Sequence, residues 1–183
     1  MNQILFFGYG AYRDKKRIEV ILRIAGFTGE DLTIEGGFGA RADGYVLAIQ
    51  NLQQIPEDAR KSLLKAWGGN FRCYTIKPGI GQVAGVLWAL NEKQFQALKE
   101  WECDGVWRTF VEIDIVTTDQ HKLKALADKA INDDNIMQIV DGLNYESNLN
   151  LEGMKKSTFP DDEYRIKELQ TVRLKLAQVA TKS

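Results

Sequence analysis

The chain moves between two hydrophobic periods. Ile4–Phe7 is a four-residue apolar run that stops at Gly8, passes through Tyr9 and breaks again at Gly10. Such a run followed by closely spaced glycines predicts a buried strand ending in a tight turn. From Asp14 the period lengthens: Ile18, Ile21, Leu22 and Ala25 share one face of a predicted helix, with Gly26 at its C-terminal cap. Gly26 to Arg41, with Gly36, Gly37 and Gly39 close together, reads as loop. Tyr45–Ile49 and Phe71–Ile76 are apolar enough for strands, a helix is expected over Pro56–Ala66, and Pro78, Gly79 and Gly81 mark a turn. Val83–Leu90 (VAGVLWAL) is the clearest buried strand. Asn91 then caps a helix to about Glu102, with Gln94 completing a capping box and Phe95 and Leu98 on the apolar face. Trp107–Val116 alternates in part and reads as a half-buried strand.

Beyond Thr117 the expected elements are helical. Asp119–Val140 places Leu123, Leu126, Ala127, Ala130 and Ile131 on one face. Asp141–Pro160 is polar and reads as loop, and Asp162–Ala180 has Ile166, Leu169, Val172, Leu176 and Val179 in phase for a closing helix. The order is strand–turn–helix, then strands with an inserted helix, then helices. It predicts an α+β architecture, with helices around a small, mainly antiparallel or mixed sheet. The 183 residues suit a single domain over 1–183, with a core over 1–117 and a helical extension over 118–183.

Composition narrows the chemistry. The chain is 44% hydrophobic and 27% charged, which is globular, and its formal net charge of −1 gives no basic surplus for nucleic acid. No stretch is long enough to span a bilayer, and the N-terminal run is too short for a signal peptide, so a cytoplasmic location is expected. Cys73 and Cys103 fit neither a disulfide framework nor a metal spacing, and the single histidine, His121, argues against a histidine-based triad. No metal site is expected from these residues. Proton transfer then falls to a carboxylate, a lysine or a tyrosine.

Two segments could carry chemistry. In Gly8-Tyr9-Gly10-Ala11-Tyr12-Arg13, amides that end a strand and open a helix can hold an anion or a polarised carbonyl, or they can form a plain connection. A dinucleotide reading fails, because Arg13 stands at the third glycine position of G-x-G-x-x-G and no βαβ repeat follows. In the second segment Glu102 ends a helix. It is either a solvated helix-end residue or a carboxyl held against Trp101, Trp107 and Phe110. In the latter setting its pKa would rise toward neutrality.

Taken together, the two segments resemble the gamma-glutamylcyclotransferase-like (AIG2-like) family. The matching pieces are Tyr9-Gly10-Ala11-Tyr12 for the Tyr-Gly-Ser-(Leu/Asn) loop and Val83-Ala84-Gly85-Val86-Leu87-Trp88-Ala89-Leu90 for the V-x-G-x-x-(Y/W)-x-L strand. Leu98-Lys99-Glu100-Trp101-Glu102 matches L-D-x-x-E, and Trp107-Arg108 the aromatic–Arg pair. The likeness spans roughly Ile4–Val116, with a weaker echo at Pro160–Tyr164. It implies a compact α+β fold around a barrel-like sheet and conversion, without a metal or organic cofactor, of a γ-glutamyl amine or peptide to 5-oxoproline and a free amine. It also implies Glu102 as acid and base, with Tyr9, Gly10, Ala11, Tyr12, Trp107 and Arg108 around a small-molecule substrate. The chain departs from the pattern at Ala11 for Ser or Thr, Tyr12 for Leu or Asn, Lys99 for Asp and Trp107 for Tyr. A non-catalytic relative that binds a carboxylated metabolite or a protein partner is the alternative, and a related enzyme that removes a γ-glutamyl cap is a third.

Overall fold

In the computed structural model the described residues are 3–57, 59–61, 64, 69–136, 138–147 and 149. The first apolar run forms β1 (Ile4–Gly8), a 3-10 turn follows over Gly10–Arg13, and α1 spans Lys15–Ile24. Asp14 caps α1 by accepting the Lys16 N–H at 3.0 Å. β2 (Glu35–Asn51) and β3 (Arg72–Leu90) are long antiparallel partners, and α2 (Glu92–Trp101) follows β3 directly. β4 (Arg108–Thr117), β5 (Lys122–Ala130) and the short β6 (Gln138–Val140) complete the described elements. Residues 57, 59–61 and 64 are helical, within the helix expected over Pro56–Ala66.

The sheet runs β3-β1-β5-β4-β2-β6, and the additional β3–β2 pairing closes the first five strands into a barrel. Pairings are antiparallel except β1 with β5, where Phe6 stands opposite Leu126 in parallel register. The fold is therefore α+β around a small mixed barrel, as expected. The barrel interior holds Phe7, Leu47, Ile76, Val83, Leu87, Ile113 and Ile115. A second core lies between the barrel wall and the two helices, where Ile18, Ile21 and Leu22 of α1 and Phe95 and Leu98 of α2 pack on Phe6, Trp88 and Leu90. Each helix buries the apolar stripe its period laid out. Among the described residues no helix is long and apolar enough to cross a membrane.

Four expectations are corrected. Residues Asp119–Val140 do not form a helix: β5 and β6 lie there. Leu123, Leu126, Ala127 and Ala130 have helical spacing, but Ala125 and Ala127 face the barrel interior while Leu123 stays 37% exposed. Nine-residue pairing with β4 outweighs alanine's helical preference. Accordingly 118–183 is not a purely helical extension; its closing helix at Asp162–Ala180 and the echo at Pro160–Tyr164 lie outside the described residues. The glycine-rich loop to Arg41 is instead the start of β2 from Glu35, with a bulge between Gly36 and Phe38. The turn at Pro78–Gly81 is likewise a register irregularity within β3, opposite Asp43 and Tyr45.

Gly8 shows why the first strand must end as it does. A Cβ there would lie 2.4 Å from the Tyr12 carbonyl oxygen, which accepts the Trp88 indole N–H at 2.8 Å. Absence of a side chain lets the turn fold back against β1 and carry Tyr12 inward. Gly8→Ala is expected to destabilise the fold by about 2–3 kcal/mol through overpacking against backbone, read as a lower urea midpoint. An unchanged midpoint would mean the turn can move away from β1 without loss.

Candidate active site

Glu102 is the C-cap of α2. The next residue, Cys103, takes φ +51, the Cys103 N–H donates to the Glu100 carbonyl at 3.2 Å, and the Asp104 N–H donates to the Lys99 carbonyl at 3.0 Å. This paired closure is a Schellman motif, which ends the helix sharply and fixes the direction of residue 102. The Gly105 N–H then donates to the Arg108 carbonyl at 2.9 Å, so the chain turns at once into β4. A five-residue turn thus sets Glu102 and Arg108 side by side.

Around Glu102 the side chains come from four elements. The Tyr12 hydroxyl, brought in by the bend after β1, donates to Glu102 Oε1. Arg108 Nε lies 3.9 Å from Glu102 Oε2 but donates at 3.0 Å to Asp128 Oδ2 on β5, and Arg108 Nη2 also binds that oxygen. Nη2 further donates to the Tyr9 hydroxyl at 3.0 Å and to the Tyr74 carbonyl at 3.1 Å, while the Tyr9 hydroxyl donates to the Asp128 carbonyl at 2.5 Å. Side-chain exposure is 13% for Glu102 against 4% for Arg108 and 3% for Asp128. Glu102 is therefore the most exposed of these three side chains.

Electrostatics separate the groups further. Burial, and after it the Asp128 carboxylate, push the Glu102 carboxyl up to about 7, against the pull of Arg108, the Tyr12 hydroxyl and Arg17. Its place at a helix C-terminus, the negative end of the dipole, acts in the same upward direction. Burial opposes the charge of Arg108, but Asp128 and its other neighbours outweigh that and hold it firmly protonated. Burial raises the Tyr9 and Tyr12 hydroxyls well above the usual phenol range, with Asp128 next for Tyr9 and Glu102 next for Tyr12. Burial also drives the Cys73 thiol up to about 12, which removes it as a nucleophile at neutral pH. Among these groups only Glu102 changes charge near pH 7.

The residues singled out from sequence divide in two. Tyr9, Tyr12, Glu102 and Arg108 meet in one connected cluster. Ala11 lies half-buried on the same turn, and its carbonyl accepts the Asp14 N–H at 3.2 Å. Gly10, at φ +56, directs its N–H to the Tyr145 hydroxyl at 3.3 Å. Trp107 stacks on Arg108, its ring centroid 5.3 Å from the guanidinium carbon and its plane edge-on to Phe71, in a core with Leu52, Ile55 and Cys103. Phe110 packs with Phe6 and Phe95. Burial, the setting expected for Glu102, is the first cause of its raised carboxyl, and Asp128 adds to it. Arg13 clamps Tyr145, stacking 4.7 Å from its ring centroid and donating to its carbonyl at 3.2 Å. Asp128, Tyr145 and Arg17 carried no sequence signal. Buried Trp107 Nε1, Arg108 Nη1 and Asp128 Oδ1 have no partner among the described residues.

No family model matches the chain, and no curated protein matches it in sequence. Solved structures do match. A crystal structure of an uncharacterized protein from Homo sapiens is 19% identical with a TM-score of 0.55, the match covering 92% of this chain and 87% of that one. A gamma-glutamyl cyclotransferase structure is 17% identical with a TM-score of 0.54, covering 100% of both chains. A solution structure from Arabidopsis thaliana is 20% identical with a TM-score of 0.51, covering 85% of this chain and 83% of its own. These likenesses establish the fold, and the resemblance read from the motifs holds at that level.

Proposed function

We propose that the protein is a γ-glutamyl cyclotransferase-type enzyme, converting a γ-glutamyl amine or peptide to 5-oxoproline and the free amine. The observation that carries this reading is Glu102: a carboxyl with a pKa near 7, partly open to solvent, held by the Tyr12 hydroxyl at the glycine bend. The reaction is an internal acyl transfer. The substrate's α-amine attacks its own γ-carbonyl carbon, a C–N bond closes the five-membered ring, and the original amide C–N bond breaks. The α-ammonium must first lose a proton, and the leaving nitrogen must gain one. A single carboxyl that is part ionised at pH 7 can take the first proton as base and return it as acid. The Tyr12 hydroxyl holds that carboxyl in one orientation and stays protonated itself.

Reaction also requires the substrate to be folded on itself, so orientation supplies much of the rate. The amide of Ala11, half-buried on the turn, is the donor for the developing oxyanion or the glutamyl carboxylate. A backbone donor is unaffected by the missing hydroxyl at Ala11. Arg108 and Asp128, buried behind Glu102, support it without touching substrate. The location proposed for this chemistry is the cytoplasm.

A second reading has its own support. Ala11 lacks the hydroxyl of the matching motif, and the Gly10 N–H is engaged by Tyr145; both favour a binding module that keeps the fold without turnover. Incubation with a panel of γ-glutamyl amines, dipeptides and γ-glutamyl-capped amino compounds, with 5-oxoproline measured, separates the two. Equal release of 5-oxoproline and free amine is expected. Binding by calorimetry without product from any panel member would replace the enzyme reading with the binding one.

A further inference from the structure

We propose that Asp128 is a positioning residue: by holding the Arg108 guanidinium it keeps that cation from pairing directly with Glu102 and so leaves the carboxyl free to exchange a proton. The inference rests on the reading of Glu102 as the proton carrier.

The geometry comes from strand register. Arg108 stands opposite Ala130 and Phe110 opposite Asp128, so Asp128 is the diagonal neighbour of Arg108 on one face of the β4–β5 pair. That face also carries Phe110 and Leu126, which pack toward α1 and α2. Glu102 reaches the same place from the end of α2. Two carboxylates thus compete for one guanidinium, and Asp128 has the direct bonds while Glu102 Oε2 stays at 3.9 Å. Tyr9 and Tyr74 occupy the same Nη2 and lock the guanidinium toward β5. If Glu102 instead took Arg108 as a bidentate partner, it would be a permanently ionised structural anion, since an adjacent cation depresses a carboxyl.

Asp128 favours protonation of Glu102 in two ways, by its own negative charge and by occupying the cation. Among the described residues, the charged and titratable groups facing Glu102 are Tyr9 and Tyr12 at the bend, Arg17 on α1, Cys73 on β3, Arg108 on β4 and Asp128 on β5. The Arg108–Asp128 pairing has an alternative arrangement, Arg108 on Glu102, that would quench Glu102.

The test needs no substrate. Carbon-13 NMR of glutamate carboxyls follows Glu102, and nitrogen-15 NMR follows the Arg108 Nε–H. In the wild-type protein the Glu102 midpoint is expected near 7, and the bonded Nε–H signal is expected to persist below it, because its partner is Asp128. In Asp128→Asn the Glu102 midpoint is expected to fall by about one pH unit or more, and the Nε–H signal becomes pH-dependent with that same midpoint. An unchanged or higher midpoint overturns the proposal, as does a lowered midpoint with an indifferent Nε–H signal, which would leave Asp128 a distant charge only. Should Asp128→Asn not fold, the wild-type titration decides alone: loss of the bonded Nε–H signal as Glu102 is protonated would make Glu102 the partner and overturn the proposal. Failure of every γ-glutamyl compound to react would sink the enzyme reading and leave these titrations standing.

Discussion

Glu102→Gln is expected to lower turnover of a γ-glutamyl substrate by about 10²–10⁴-fold and, in alkaline solution, to make the protein more stable. The second half follows from linkage. The folded state holds the Glu102 proton up to about pH 7, whereas the ordinary glutamate value is 4.5. The favourable contribution is therefore complete below pH 4.5, fades as pH rises, and is gone above 7, leaving a charge buried at a cost. At ~1.4 kcal/mol per pH unit the swing is about 3 kcal/mol. Glutamine is neutral throughout and can still accept the Tyr12 hydroxyl. Urea unfolding at pH 4 and pH 8 measures the effect: the variant should match the wild type at the lower pH and exceed it by up to about 3 kcal/mol at the higher. Lower stability of the variant at pH 8 would identify Glu102 as an ion-pair partner of Arg108 and end its candidacy as proton carrier. A residue kept only for stability does not behave this way, so loss of rate with gain of stability marks a site under functional selection.

Arg108→Met is expected to act in the opposite sense, costing about 3–5 kcal/mol of stability. The side chain it removes is the cation for Asp128, whose side chain is 3% exposed, and the donor to the Tyr9 hydroxyl and the Tyr74 carbonyl. Methionine fills the volume and leaves a buried carboxylate uncompensated. Charge burial rather than lost contact dominates the penalty, so Arg108→Met with Asp128→Asn should recover part of it. Denaturation of the two variants side by side checks this. Equal instability of the single and double variants would assign the cost to packing instead.

Much of the site was legible because it is local. The bend from Gly8 to Tyr12 and the helix end at Glu102 are each built by a few consecutive residues, with glycines, caps and apolar periods that read directly. Their adjacency in space was legible only through the resemblance to a known family. Asp128 was hidden for a physical reason: its partner Arg108 lies across a strand pair, and its own segment, KLKALADKA, carries leucines and alanines at helical intervals. Pairing with β4 decided its conformation, and no window of nine residues contains that information. The start of β2, unlike its strand-like Tyr45–Ile49 stretch, reads as loop for the converse reason. Its glycines look like loop residues, yet Gly36 is there because a Cβ would lie 2.7 Å from the Leu87 carbonyl oxygen across the ladder. Tyr145, polar in context and far along the chain, gave no hint that it would meet the Gly10 amide.

The parallel contact between β1 and β5 has a temporal consequence. Phe6 meets Leu126, so the wall that supports the glycine bend is completed only when residues from the far side of the chain arrive. During synthesis the segment bearing Tyr9 and Tyr12 emerges first and waits, with its β5-facing edge unsatisfied, until β5 leaves the ribosome. A contact so distant in sequence is slow to form. Any fragment ending near Thr117 would carry nearly every recognisable motif and still lack both the strand that closes the ring and the anion that restrains Arg108.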